Sequence, residues 1–245
     1  MEHKGVAAVD RALAIIGAFE QRPEALTLAE IARTTGLYKS TVLRLLVSLK
    51  AQGFIDQTEN GRYRLGPAFL RLGSLYQRTM RLDEKILPEL ESLVAQGSES
   101  ASFFIRHDAQ MRICIFRRDS NHSTVDRIRT GTLKPIDRGA AGKVFRAEAG
   151  EPGDEFDRIR RAGHAVSFGE TDRGCAAVAA PVTDSAGRVV GALSLSGPNT
   201  RFDEDGIARQ LALLLPAAAR LSHKFGGAAG TIHATSCHLP GRLGE

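Results

Sequence analysis

Lys39, Ser40, Thr41 and Arg44 stand together in a stretch whose apolar residues repeat at helical spacing. On a helical wheel for residues 38–52, Val42, Leu45, Leu46 and Leu49 fall on one side and Ser40, Arg44 and Val47 on the other. Thr41 and Leu43 lie on the flanks, and Lys39 sits at the N-terminal end. The chemistry open to such a face is the reading of DNA in the major groove. Hydroxyls and an ammonium reach phosphates or base edges, an apolar side chain touches a thymine methyl, and the guanidinium of Arg44 can pair bidentately with guanine N7 and O6. The same wheel also suits an amphipathic helix in any small domain, so the surrounding elements must decide. Catalytic chemistry has less support. Gly139-Ala-Ala-Gly-Lys143 lacks the earlier glycine of a phosphate loop, and Val144 stands where a Ser or Thr would bind magnesium. There is no GxSxG or HExxH motif and no evident nucleophile–base set, so an enzyme is the weaker class and no cofactor is expected. His233, Cys237 and His238 could hold a metal only loosely, and a solvated tail is the better account of them.

The elements that must position the candidate helix are legible around it. Residues 7–19 have helical spacing through Val9, Leu13, Ile16 and Phe19. Thr27 followed by Glu30 forms a capping box, with Leu26 and Ile31 placed as its hydrophobic staple, so a short helix starts there and ends before Gly36. The third helix stops at Gly53. Asn60-Gly61 between Phe54-Ile55 and Tyr63/Leu65 then predicts a hairpin, and Gly66-Pro67 closes the unit. Helix, helix, turn, helix, hairpin is the order of a winged helix-turn-helix, which outweighs the generic amphipathic reading. The first helix of the pair would cross the DNA backbone, and the hairpin would be a wing, with Arg62 and Arg64 offsetting Glu59 near its tip. Thr27, Lys39, Ser40, Thr41, Leu43, Arg44 and Arg62 are therefore the expected DNA contacts.

Beyond this unit, residues 67–96 read as two helices connecting domains, the first with Phe69, Leu70, Leu72, Leu75 and Tyr76 on its apolar side. Residues 101–106 and 111–116 read as a hairpin, 125–129 as a third strand, and 139–147 and 155–162 as helices. Residues 174–182 and 188–196 form a second hairpin, and 203–223 a long helix with an acidic first turn. The tail beyond Gly226 has no periodicity. The expected organisation is α+β: a DNA-binding domain at 6–66, linker helices at 67–96, an antiparallel-sheet domain flanked by helices at 98–223, and a flexible tail at 224–245.

Composition bounds the partners. In 245 residues, 42% are hydrophobic and 25% charged, which supports a packed core and excludes a disordered chain. No apolar run reaches the ~18 residues of a membrane helix, so no membrane partner is expected. An odd cysteine count, wide spacing and no CxxC argue for a reducing cytoplasm and against a disulfide scaffold. Residues 1–81 carry 12 Lys and Arg against 7 Asp and Glu, and the remaining residues carry 21 of each, so the whole net charge of +5 lies in the first third. On charge alone, a polyanion-binding head and a chance imbalance are equally open.

Val6-Ala-Ala-Val-Asp-Arg-Ala-Leu-Ala-Ile-Ile16, the run from Leu28 through Gly36-Leu-Tyr-Lys-Ser-Thr-Val-Leu-Arg-Leu-Leu46, and Gly53-Phe-Ile55 together resemble the IclR family of bacterial transcriptional regulators. Pro135 with Gly139-Ala-Ala-Gly-Lys143, Ser167-Phe-Gly-Glu170 with Gly174, Ala180-Pro-Val182 and Ser194-Leu-Ser-Gly-Pro198 resemble that family's effector-domain signatures. The resemblance spans residues 6–222. It implies a winged helix-turn-helix, a linker helix and a GAF-like ligand-binding domain, assembled as a homodimer or a dimer of dimers on a double-stranded operator. Tyr38, Leu43 and the pair Asp137-Arg138 depart from the family's usual residues, which bears on the helix cap, on base preference and on effector identity.

The resemblance also implies an effector pocket at Ala140, Ala141, Ser167 and Ala177. Small residues at a helix start leave room there, and unpaired N–H groups attract a carboxylate. Ser194 and Ser196, alternating on a strand, would add hydroxyl donors from one face. Close helix–sheet packing explains each small residue equally well. Cys175 reads as a small core residue, with an oxidation sensor beside Arg173 as the lesser alternative. The expected function is a DNA-binding regulator modulated by a small effector, an organic acid by this geometry if Asp137 points outward or pairs with Arg138 or Lys143, and otherwise a neutral or cationic ligand. The alternatives are a GAF-like sensor or enzyme whose N-terminal module makes only protein contacts and, last, a nonspecific nucleoid-type binder.

Overall fold

The computed structural model describes residues 5–20, 24–79, 82–122 and 126–227. It divides into two compact units, Met1–Met80 and Arg81–Glu245.

In the first unit, α1 (Ala7–Gly17), α2 (Leu28–Thr35) and α3 (Lys39–Ala51) precede β1 (Ile55–Gln57), β2 (Tyr63–Leu65) and α4 (Ala68–Thr79). The capping box at Thr27 forms as expected. Gly36, at φ 68, turns the chain out of α2 and into α3 at an angle that a side-chain-bearing residue rarely adopts. Ile15, Phe19, Leu26, Ile31, Val42, Leu46, Leu49, Ile55 and Tyr63 pack into one core. The β1–β2 hairpin turns through Thr58 to Gly61, and Leu26 adds a bridge to Tyr63, which ties the wing to the entry of α2. The spacing of residues 7–19 placed Val9 and Leu13 on the same side as Phe19, yet the structure buries Ile15, Ala18 and Phe19 and leaves Val9 and Leu13 exposed. Only the C-terminal half of α1 has a core to meet.

The second unit holds α5 (Leu82–Ala95), β3 (Ser100–Arg106), β4 (Met111–Arg118), β5 (Leu133–Pro135), α6 (Ala140–Glu148), α7 (Asp154–Ala162), β6 (Ala165–Phe168), β7 (Cys175–Thr183), β8 (Val189–Pro198) and α8 (Glu204–Lys224). The strands form one antiparallel sheet in the order β5-β4-β3-β8-β7-β6. Strand alternation sends Phe103, Val178, Leu193 and Leu195 to one face, where they pack with Ile86, Leu90 and Leu93 of α5 and Leu214 and Leu221 of α8. Phe104, Ala179 and Ala192 face the other way, against Val144 and Phe145 of α6 and Phe156 and Ile159 of α7. The spacing of residues 67–96 grouped two helices as a connecting pair; here α5 supplies four side chains to the core of the second unit.

The third strand is Leu133–Pro135, not residues 125–129. Val125 lies outside the described residues, and 126–129 form a loop. The Asp126 carboxylate is drawn into the sheet by Arg117 and Ser196, and the chain must then turn at Gly131, φ 87, before it can pair with β4. Phe225 and Gly226 still belong to the folded unit, Gly226 bridging to Asp184, while the expected tail from 228 onward, with His233, Cys237 and His238, lies outside the described residues.

Candidate functional site

The first candidate surface is built on α3. Val42, Leu46 and Leu49 are buried, Leu45 and Thr41 half-buried, and Lys39, Ser40, Leu43, Arg44 and Val47 exposed, the division the wheel predicts. Tyr38 makes no side-chain cap and is 85% exposed at the head of this helix, an apolar reach that the wheel did not weigh. Among the described residues neither Lys39 nor Arg44 enters an ion pair. Lys50 at the far end is tied to Gln57 of β1 (2.8 Å), fixing the wing to α3. Two expected contacts are already engaged within the unit. The Thr27 hydroxyl accepts from the Glu30 N–H (3.2 Å) and donates to the Glu30 carboxylate (2.8 Å). Arg62 Nη1 donates to the Ala25 carbonyl at 2.9 Å and stands 3.8 Å from the Glu30 carboxylate.

The second is a narrow recess on the α6 side of the sheet. It brings together all five residues named from the sequence: Ala140 and Ala141 at the start of α6, Ser167 on β6, Ala177 on β7 and Ser194 on β8. Topology explains the convergence. β6, β7 and β8 are neighbours, with Ser167 opposite Ala177 and Ala177 opposite Ser196, and α6 covers the same face.

The polar groups are spent differently from the expectation. The Ala140 N–H donates to Ser167 Oγ (2.9 Å), and the Gly139 N–H donates to the Glu170 carboxylate (2.7 Å). Two of the first donors of α6 therefore already have partners, and a resident carboxylate occupies the positive end of the helix. Glu170 is held in turn by Lys143 at 2.6 Å, which also meets Glu155 at 2.9 Å. Ser194 donates its proton to the Val178 carbonyl (3.1 Å) and Ser196 donates to Asp126, so neither offers a free O–H to a ligand. Asp137 pairs with Arg138 at 2.9 Å on the surface and is not among the recess lining.

Residues that sequence reading did not single out complete the walls. Arg112, Asp126, Arg127 and Lys134 line the recess beside Phe104 and Ile128. The signal for Arg112 was present: it stands two residues before Cys114 in an alternating strand and shares its inward face. Asp126 forms a buried pair with Arg117 at 2.7 Å. Cys175 also lines the recess, and burial, with Asp172 and Asp126 nearby, pushes its thiol above the usual value, which disfavours the thiolate that an oxidation sensor needs. No group of acidic, His or Cys side chains among the described residues is arranged to hold a metal, and no described helix is long and apolar enough to cross a membrane.

Comparison with known proteins accounts for both halves of this architecture. The family model for the IclR helix-turn-helix domain matches residues 8–59, and that for the bacterial transcriptional regulator IclR C-terminal domain matches residues 153–223. The glycerol operon regulatory protein of Streptomyces griseus is 30% identical over 229 residues, covering 83% of this chain and 89% of that protein. The IclR transcriptional regulator from Alicyclobacillus acidocaldarius has a TM-score of 0.78 at 24% identity, covering 91% of this chain and 100% of the other. An IclR homolog from Microbacterium hydrocarbonoxydans, solved in complex with 4-hydroxybenzoate, has a TM-score of 0.77 at 19% identity, covering 89% and 99%.

Proposed function

The chain belongs to the IclR family of bacterial transcriptional regulators, and on that premise we propose that it binds an operator through α3 and answers to a small organic acid in the α6 recess. The observation that carries the DNA half is the exposed face of α3, where Lys39, Ser40, Leu43 and Arg44 meet solvent while Val42, Leu46 and Leu49 hold the helix to its core. The contacts proposed are these four with Thr41, supported by the α2 entry at Thr27 and the wing at Arg62. Because the side chains of Thr27 and Arg62 are bonded within the unit, their contribution is to hold the α2 entry and the wing in place. Anisotropy with DNA from the chain's own promoter region and with shuffled DNA, across a salt series, tests this reading. Tighter binding to promoter DNA is expected, and equal affinity for both would leave only a nonspecific binder.

The recess supports the second half because Ala140, Ala141, Ser167, Ala177 and Ser194 surround one space. The Microbacterium structure of the same fold carries 4-hydroxybenzoate, so an aromatic acid is the first ligand to try. The chain is proposed to act as a homodimer or a dimer of dimers. Val9 and Leu13 of α1 and Leu70, Leu72 and Tyr76 of α4 leave large apolar side chains in solvent, which a second copy would cover. Two-fold symmetry then places two α3 helices on half-sites ~34 Å apart.

A further inference from the structure

Arg112 lies on β4 opposite Lys134 of β5 and is 3% exposed. Its guanidinium is wedged under the first turn of α6. A Cβ at Gly139 would stand 3.0 Å from Nη2, and one at Gly142 would stand 2.8 Å from Nη1. The partners it has are neutral: Nη1 donates to the carbonyls of Pro135 and Arg138, the latter at 2.9 Å, and the Phe104 ring lies 5.4 Å away. Among the described residues Nε has no hydrogen-bond partner, and no carboxylate forms an ion pair with this side chain. The negative groups that act on it from a distance, Asp137 and Glu170, are bound to Arg138 and Lys143. Burial accordingly pushes Arg112 down to about 10. A buried charge is normally paired, because leaving water is costly without a counter-ion. It sits beside the first turn of α6, where Glu170 already takes up the Gly139 N–H but does not reach the guanidinium. That wall lines the recess, together with Lys134 and Arg127 and with two carboxylates, Asp126, which is held by Arg117, and Asp172.

We propose that Arg112 is the charge partner of the effector: the recess takes a small carboxylic acid whose anionic end seats on Arg112 beside the first turn of α6, with its apolar part against Phe104 and Ala177. This rests on the ligand-responsive reading above and adds to it the residue that selects the ligand's charge. The bound carboxylate supplies the counter-ion that the fold withholds. Glu170 satisfies Gly139, and the effector satisfies the guanidinium. Gly142 is part of the device, since any side chain there would strike the Ile136 carbonyl at 2.5 Å as well as Arg112.

Calorimetry and thermal shift on the full chain, with benzoate, 4-hydroxybenzoate and pyruvate beside their neutral amides, test it in wild type, Arg112→Gln and Arg112→Lys. Acids but not amides are expected to bind wild type. Arg112→Gln should bind acids ~10–100-fold more weakly while melting at or above the wild-type temperature without ligand. Arg112→Lys keeps the charge but loses the planar fork, and should bind acids several-fold more weakly. Should the Gln variant fail to fold, undiminished acid affinity in the Lys variant overturns the assignment. Full acid affinity in a folded Arg112→Gln overturns it too and leaves the small-acid reading standing. Amides binding as well as acids also overturns it, whereas no binding by any acid to wild type overturns the small-acid reading itself.

Discussion

Arg44 and Lys39 share an exposed helix but meet the proposed DNA at different depths, and the two can be separated. Arg44 lies opposite the buried stripe, where its fork can reach base edges, so Arg44→Ala is expected to weaken specific binding by ~1–3 kcal/mol and to relax preference at one base position. Lys39, at the helix head, is placed for phosphate. Lys39→Ala should weaken all sequences alike and lower the salt slope by ~1. Anisotropy titrations on operator and random DNA at several salt concentrations read both effects, and equal losses on both DNAs for both variants would remove Arg44 as a base reader. In the recess, Ala141 is a buried lining residue. Ala141→Leu should fill the space and abolish ligand response at a cost of ~1–3 kcal/mol in overpacking, leaving operator affinity unchanged. Normal ligand affinity in that variant would put the pocket elsewhere.

Among elements, the packing of α5 on α8 carries a charge cluster that is open to titration. Glu89 of α5 is buried between Arg220 (2.9 Å) and Lys224 (2.9 Å) of α8. Burial alone would raise its carboxyl, but the hydrogen bonds and charges of the two cations outweigh it and hold the group below its ordinary 4.5. A depressed carboxylate contributes its stability above the unfolded value and loses it as pH falls through the folded one. Glu89→Gln should therefore cost ~1–2 kcal/mol at pH 7, screened by the half-exposed cations, and the gap between variant and wild type should close as pH falls below about 4.5. Urea unfolding at both ends of that range measures it, and a gap that persists at low pH would show that packing, not charge, joins the helices. At α2, the reciprocal bonds of Thr27 and Glu30 make Thr27 structural as well as near the proposed DNA. Loss of a cap of this kind is worth ~1 kcal/mol.

For the whole molecule, the charge of the first third and the exposed apolar side chains of α1 and α4 bear on the same proposal. A single reading helix spans only a few base pairs, so two copies lengthen the site at low cost. Leu70 is 76% exposed, and Leu70→Asp should leave folding within ~0.5 kcal/mol. Sedimentation velocity at micromolar concentration should then show a dimer for wild type and a shift toward monomer for the variant, with operator affinity falling in parallel. A monomeric wild type that still binds its operator would sink the dimer.

What sequence alone determined here is what neighbours along the chain decide. Thr27 and Glu30 are three residues apart, Gly61 supplies the positive φ its turn needs, and the alternation of β7 and β8 assigns their faces. The α3 wheel was legible for the same reason, since a helix reports its own periodicity. What only the tertiary structure decided involves partners far apart in the chain. Glu170 reaches Gly139 from 31 residues away, and Asp126 reaches Ser196 from 70, which displaced the expected third strand to Leu133–Pro135. Whether α5 joins a linker or a core, and whether Val9 and Leu13 are covered, depends on which surfaces the sheet and the first core present. Arg112 is the sharpest case. On an open strand an arginine costs nothing, and only the first turn of α6 lying against it makes it a buried charge with no counter-ion among the described residues.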